Sequence, residues 1–192
     1  MATAPTTGLA PIWPITVDVY HAMLERGVLK SGDPVELLEG FIVQKPVKNP
    51  PHSFATDASR DALGRVIPAG WFMREQNPVT LATSEPEPDL FISRGNRRHY
   101  RSRHPGPRDV ALVMEISDTS LERDRILKKR IYAEAGIPWY WLLNLKRRLL
   151  EVYSEPKGRD YTRHEIFKPR QTVNIVLDGK VAGAVRVSEL LP

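Results

Sequence analysis

The run VALVMEIS at residues 110–117 constrains this chain most. Val110 to Met114 are apolar without interruption, which suits a central strand buried on both faces of a sheet. Glu115 stands inside that run. A carboxylate there is costly unless it is paired or bound to a cation. Two readings follow for Glu115: a strand-end acid facing solvent or an arginine, or one arm of a buried site.

The rest of the chain arranges helices and hairpins around this strand. Thr16 can cap a helix over about 17–26, closed by Gly27. The segment PVELLEGFIVQKPV reads as a hairpin turning at Glu39-Gly40. Asn49-Pro50-Pro51 opens a helix over about 52–67. WFMREQ and PVTLAT read as strands, and a short strand begins near Asp89. Residues 94–108 form a polar loop. Thr119 and Glu122 have capping-box spacing and start a helix that Gly136 and Pro138 stop. WYWLLNL and LLEVYS flank a second hairpin, and the C-terminal third reads as short strands turning at Asp178-Gly179, then a helical turn. The class is therefore α/β, of mixed α+β character, around one sheet. A chain of 192 residues suits one domain, taken as 15–192 after a proline-rich flexible arm at 1–14.

Several function classes drop out on composition. With no cysteine, a disulfide scaffold, a thiolate zinc site and cysteine nucleophile chemistry are excluded. No apolar run is long enough for a membrane helix, and the N-terminus lacks a signal-peptide pattern, so a cytoplasmic location is expected. The net charge is +5, and 19 of the 28 cations are arginine, which forks phosphate better than lysine does. A polyanion partner therefore comes into view.

The helix after the central strand carries the next signal. At about 100° per residue from Asp124, the residues Leu121, Leu127, Ile131, Tyr132 and Ala135 share one apolar face. Lys128 falls at about 40°, within that face, whereas Arg123, Arg125, Lys129 and Arg130 fall off it. Either Asp124 and Lys128 form a half-buried structural pair, or Lys128 is the cation of a polar site and Asp124 orients it. Asp89, pinned behind a proline, reads as a turn residue or as a second site acid. Two carboxylates and one lysine that converge can hold Mg²⁺ and stabilise charge on a phosphodiester. The loop at 94–108 holds Arg94, Arg97, Arg98, Arg101, Arg103 and Arg108. It is either a solvated charge run or a grip on the phosphates flanking that site. Trp139, Tyr140 and Trp141 read as core packing rather than a base-stacking platform.

These pieces in order resemble the Uma-two family. They are VELLEGFIV, NPPHSFATDASRDAL, EPEPDLFIS, VALVMEIS, the Asp124, Lys128, Tyr132 spacing, and AEAGIPWYWLLNL followed by LLEVY. That bacterial family, formerly a domain of unknown function, is assigned to restriction endonucleases in the PD-(D/E)XK nuclease superfamily. The resemblance covers about residues 17–155. It implies a restriction-endonuclease-like core, a central mixed sheet flanked by helices, and Mg²⁺-dependent cleavage of DNA, with Mn²⁺ as a substitute. It matches Asp89 and Glu115 to the superfamily's metal acids. The superfamily's lysine position holds Ser117 here, and the family's recurrent lysine matches Lys128. The family's early acid matches Glu36, and its histidine after the hairpin matches His52. The catalytic set is thus expected to be Asp89, Glu115, Lys128 and Glu36, with His52, Ser117, Asp124 and Tyr132 in support. Arg94, Arg97, Arg98, Arg101 and Arg103 are expected to contact nucleic acid. A homodimer built by a partner strand on the WYWLL side is a further expectation. The rival function is a nuclease-fold module that binds nucleic acid without cutting it.

Overall fold

A computed structural model describes residues 12–192. The flexible arm expected at 1–14 lies outside the described residues as far as residue 11. Pro14 is seated: a Cβ added to Gly40 would come 2.6 Å from Pro14 Cβ, so the glycine makes room for the arm. Gly40 also takes φ of +83°, which the hairpin turn requires.

Helix α1 spans Val17–Glu25 and is capped by Thr16, whose hydroxyl accepts from Val19 N. Strands β1 (Val35–Leu38) and β2 (Phe41–Gln44) form the first hairpin. Helix α2, Pro50–Gly64, starts two residues earlier than expected, because both prolines fit its first turn and Asn49 caps it. Six strands make the main sheet: β3 (Trp71–Glu75), β4 (Leu90–Arg94), β5 (Val110–Ser117), β6 (Trp139–Asn144), β7 (Leu149–Lys157) and β8 (Asp160–Phe167). They lie in chain order, with β5 and β6 parallel and all other neighbours antiparallel. Strands β9 (Thr172–Leu177) and β10 (Lys180–Arg186) form a separate hairpin.

Strand β5 is buried along its whole length, as its apolar run demands. Its alternation divides the core. Leu112, Met114 and Ile116 pack on one side with Ala55, Ala62 and Leu63 of α2 and with Val173 and Ile175 of β9. Burying each such side chain is worth about 1.5–3 kcal/mol. Val113 points the other way, into a second cluster with Ile131, Tyr132 and Ala133. Glu115, two residues on, shares the side of Val113. The sequence period thus turns the one acid of the strand toward the helical segment that follows it.

That segment is not one regular helix. Helix α3 covers Leu121–Arg123, a π turn covers Asp124–Lys128, and α4 covers Lys129–Glu134. The expected capping box at Thr119 does not form. Ser120 is the cap residue without a side-chain cap bond, and its hydroxyl donates to the Asp124 carboxylate instead.

Two further expectations are corrected. PVTLAT is not a strand. Pro78 has no N–H to give to a ladder, and the backbone bonds go to scattered partners: Val79 N to Pro86 O, Thr80 N to Pro105 O, and Leu81 N to Ser84 O. A partner strand cannot add beside WYWLL, because β6 already pairs with β5 on one edge and β7 on the other. Trp141 and Tyr140 are fully buried, so that aromatic cluster is core.

Candidate active site

The cleft opens where β5 ends and β4 begins. Asp89 immediately precedes β4, and its Oδ2 accepts from Ile116 N at 2.8 Å. The backbone of β5 thereby holds the Asp89 carboxylate one residue from Glu115. His52 Nε2 lies 3.2 Å from the same oxygen, carried there by the first turn of α2. Asn49 fixes that turn twice: its Oδ1 accepts from His52 N, and its Nδ2 donates to Asp118 at the exit of β5.

Lys128 is 3% exposed, and its ammonium lies between two acids. Nζ is 3.0 Å from Glu115 Oε1 and 3.2 Å from Glu36 Oε2. Tyr132, one turn further on, donates its hydroxyl to the same Glu115 Oε1 at 2.8 Å. Glu36 reaches the site from β1, and its Oε2 also accepts from Glu87 N at 3.1 Å. The cleft enclosed by these groups measures about 340 Å³. Asp89, Glu115, Glu36, Lys128, Asp124 and His52 all line it.

The structure therefore brings together the acids and the lysine that the sequence singled out, along with His52 and Tyr132. It corrects the role expected of Asp124. That carboxylate makes no ion pair with Lys128; it accepts from Ser120, and its Oδ1 is buried without a hydrogen-bond partner. The π turn is the physical reason. Its wider coil carries Lys128 toward Glu115 and Glu36 rather than back onto the preceding turn. Ser117 is buried beside Ser120 and does not line the cleft.

Electrostatically the cleft is short of positive charge. Burial pushes the Glu115 carboxyl up to about 8; the Lys128 ammonium pulls it back, and the charges of Asp89, Asp124 and Glu36 add to the rise. Burial alone would lower Lys128, but Glu115, Glu36 and Asp124 outweigh it and hold the ammonium above its ordinary value. Burial likewise raises Asp124, against the pull of Lys128 and the Ser120 hydrogen bond. Four buried acids face one buried lysine. The donor set is oxygen-rich, as a hard divalent cation prefers. Among the described residues no group of three or more His, Asp or Glu is arranged as a metal cage. Asp89 and Glu115 both line the cleft, and two carboxylates are the protein ligands that a cation keeping much of its water could use there.

The arginine loop lies elsewhere. Strands β4 and β5 are antiparallel, so the loop joining them leaves the end of the pair opposite Asp89 and Glu115. Arg94, Arg97, Arg98, Arg101 and Arg103 do not line the cleft. Arg94 forks Asp178 of the β9–β10 turn and lies over Trp71 at 4.5 Å. Arg103 forks Asp109 and lies over Tyr100 at 5.0 Å. The cations that do line the cleft are Lys45, Lys48, Arg123 and Lys128. Arg123 is not among the residues the sequence singles out, since its angle takes it off the apolar face. Its position directly before Asp124 was the available signal.

A family model described as "Putative restriction endonuclease" (Uma2) matches residues 17–182. A crystal structure of "a putative nuclease belonging to DUF820" from Anabaena variabilis ATCC 29413 has a similar fold. Its TM-score is 0.68 at 18% identity, covering 92% of this chain and 97% of that one. No curated protein matches the chain. The family match supports a nuclease, and the solved structure shows the shared fold. Among the described residues no helix is long and apolar enough to cross a membrane.

Proposed function

The chain belongs to the Uma2 family, and from that premise we propose that it is a Mg²⁺-dependent endonuclease that hydrolyses phosphodiester bonds in DNA. One observation carries the reading: Asp89 and Glu115 converge in a cleft whose single buried lysine is shared between Glu115 and Glu36. Asp89 and Glu115 would hold the metal, with Mn²⁺ as a substitute. When bound, such a cation lowers the pKa of its water and neutralises charge on the phosphate.

The chain's own residues do the rest. The Ile116 amide and His52 fix the direction of the Asp89 carboxylate. The Tyr132 hydroxyl and the Lys128 ammonium fix Glu115 by the same oxygen, leaving its other oxygen for the cleft. Glu36 holds Lys128 at the cleft wall, where its charge stabilises the negative charge that develops on the phosphoryl oxygens during attack by water. The lysine comes from the helical segment and not from two residues past Glu115, so Ser117 need take no part.

Incubation of the purified protein with supercoiled plasmid in Mg²⁺ or Mn²⁺ tests this. Nicking or linearisation by the wild type, absent in Asp89→Ala, is expected. Intact plasmid after prolonged incubation, with duplex binding retained, would replace the enzyme by the binding module.

A further inference from the structure

Three of the buried polar atoms without a hydrogen-bond partner among the described residues lie side by side: Glu36 Oε1, Asp124 Oδ1 and Arg123 Nε. Arg123 Nη1 is 3.9 Å from the glutamate oxygen, and Nε is 3.6 Å from the aspartate oxygen. Both separations are too long for a hydrogen bond. The guanidinium donates to Gln44 O at 3.2 Å and is otherwise held near the acids by charge alone. Arginine rarely stays half buried with its donors unused, because each unused donor carries a desolvation cost. A planar fork that two acids attract but do not engage is free to turn toward a stronger acceptor.

The surroundings say where that acceptor lies. Arg123 lines the cleft and also an open groove of about 390 Å³ that continues from it. Gln44 at the end of β2, with Lys45, Pro46 and Val47 of the loop before α2, forms one bank, and Thr119, Ser120 and Arg123 the other. Lys48, exposed on the same loop, stands at the cleft rim. Lys45 is already paired with Glu87 at 2.7 Å, so Arg123 and Lys48 are the cations with capacity to spare. The arginine loop has no share in this groove, and Arg94 and Arg103 are consumed by Asp178 and Asp109.

We infer that the groove between residues 44–48 and 119–123 takes the backbone of the nucleic acid, with Arg123 forking the phosphate that enters the cleft. The inference rests on the nuclease reading and adds the path of the strand to it. Arg123 binds the phosphate, Lys48 adds charge along the rim, and the loop at 94–108 stays outside the contact. A guanidinium fork suits a phosphate's geometry better than an ammonium does, so the residue type matters as well as its charge.

Binding without cutting isolates the claim. A short fluorescein-labelled DNA duplex, and its single strand, are titrated in EDTA and followed by anisotropy over a range of salt. Arg123→Ala should weaken binding on the order of tenfold and lower the salt slope by about one. Arg123→Lys keeps the charge beside the two acids, guards against loss of fold, and should fall between. The triple Arg97→Ala, Arg98→Ala, Arg101→Ala should bind like the wild type. Wild-type affinity and slope in Arg123→Ala, or a loss confined to the triple variant, overturns the groove while leaving the nuclease reading in place. A wild-type chain that binds neither probe overturns the groove, and the plasmid assay in Mg²⁺ decides the nuclease reading separately. Loss of cleavage with this binding pattern intact overturns only the nuclease reading.

Discussion

At one end of the β4–β5 hairpin, Glu36, Asp89, Glu115 and Asp124 are buried around a single lysine. At the other end, a run of arginines lies in the open, and Arg94 and Arg103 are matched with partners of their own. The two ends are joined by the same pair of strands, yet they handle charge in opposite ways. The arginine end is close to what a solvated surface prefers, with charges exposed, forked and laid over aromatic rings. The acid end is far from it, because its carboxylates outnumber its cations and several polar atoms are left unused. Unsatisfied buried charge, and not density of charge, marks the region with chemistry left to do.

Lys128 and Lys129 bring the contrast down to neighbouring residues. Lys128→Ala strands two buried acids, and such a loss costs about 3–5 kcal/mol. Thermal unfolding should show it, and plasmid cleavage should fall far more than the loss of folded protein explains. Lys129 pairs with Asp160 at 2.7 Å, outside the cleft and over Tyr153. Lys129→Ala should cost about 0–1 kcal/mol and leave cleavage unchanged. Equal behaviour of the two variants would dissolve the distinction between the ends.

A smaller effect is expected at Glu151, a buried acid outside the cleft that is fully matched. Arg125 forks it, and Tyr153 donates to it at 2.7 Å. Burial pushes its carboxyl up, but the Arg125 and Tyr153 hydrogen bonds outweigh that and hold it below its ordinary value. A carboxyl lowered on folding stabilises the protein above its unfolded pKa, about 4.5 for glutamate, and loses that contribution as pH falls through the folded value. Glu151→Gln should therefore lower stability at neutral pH by about 1–3 kcal/mol and flatten the acid limb of the stability curve below about pH 4.5. Urea melts across pH measure both. An unchanged acid limb would show that Glu151 is no better matched than the cleft acids.

Removing one hydroxyl tests the cleft more gently. Tyr132→Phe takes from Glu115 its only neutral donor among the described residues and should cost about 1–3 kcal/mol, with slower cleavage at unchanged duplex affinity. The smallest effect belongs to the arginine end. Arg103→Ala breaks an exposed pair with Asp109 and should shift stability by about 0–1 kcal/mol, without effect on cleavage. A large loss of cleavage there would bring the loop back into the mechanism.

How far the sequence could be read differs between these ends as well. Glu115 stood out because a charge in an apolar strand is costly, and Lys128 stood out because a cation on an apolar helix face is costly too. Burial signals of this kind are local and survive folding. The strand and hairpin order was legible for the same reason, from alternation and turn chemistry. PVTLAT was misread because apolar content suggests burial but does not supply a hydrogen-bonded neighbour. The arginine loop was misplaced because its charge density was weighed without its topology. Asp89 precedes β4 and Glu115 stands near the end of β5, so an antiparallel pair must send their connection to the far end. The partners of Asp124 could not be counted at 3.6 residues per turn, since the segment it begins is a π turn.

That π turn has a consequence for the lengths of chain this fold can tolerate. A π turn holds one residue more than an α turn needs, so the segment from Asp124 to Lys128 stores an insertion. Deleting one residue there would let the coil close to regular pitch, and a flank that did not absorb the change would shift by about 1.5 Å and about 100°. If the flank before Asp124 stayed in register, Lys128 and Tyr132 would swing away from Glu115 together. Relatives of this chain should therefore vary in length in the loop between β4 and β5 and keep a fixed count of residues from Glu115 to Tyr132.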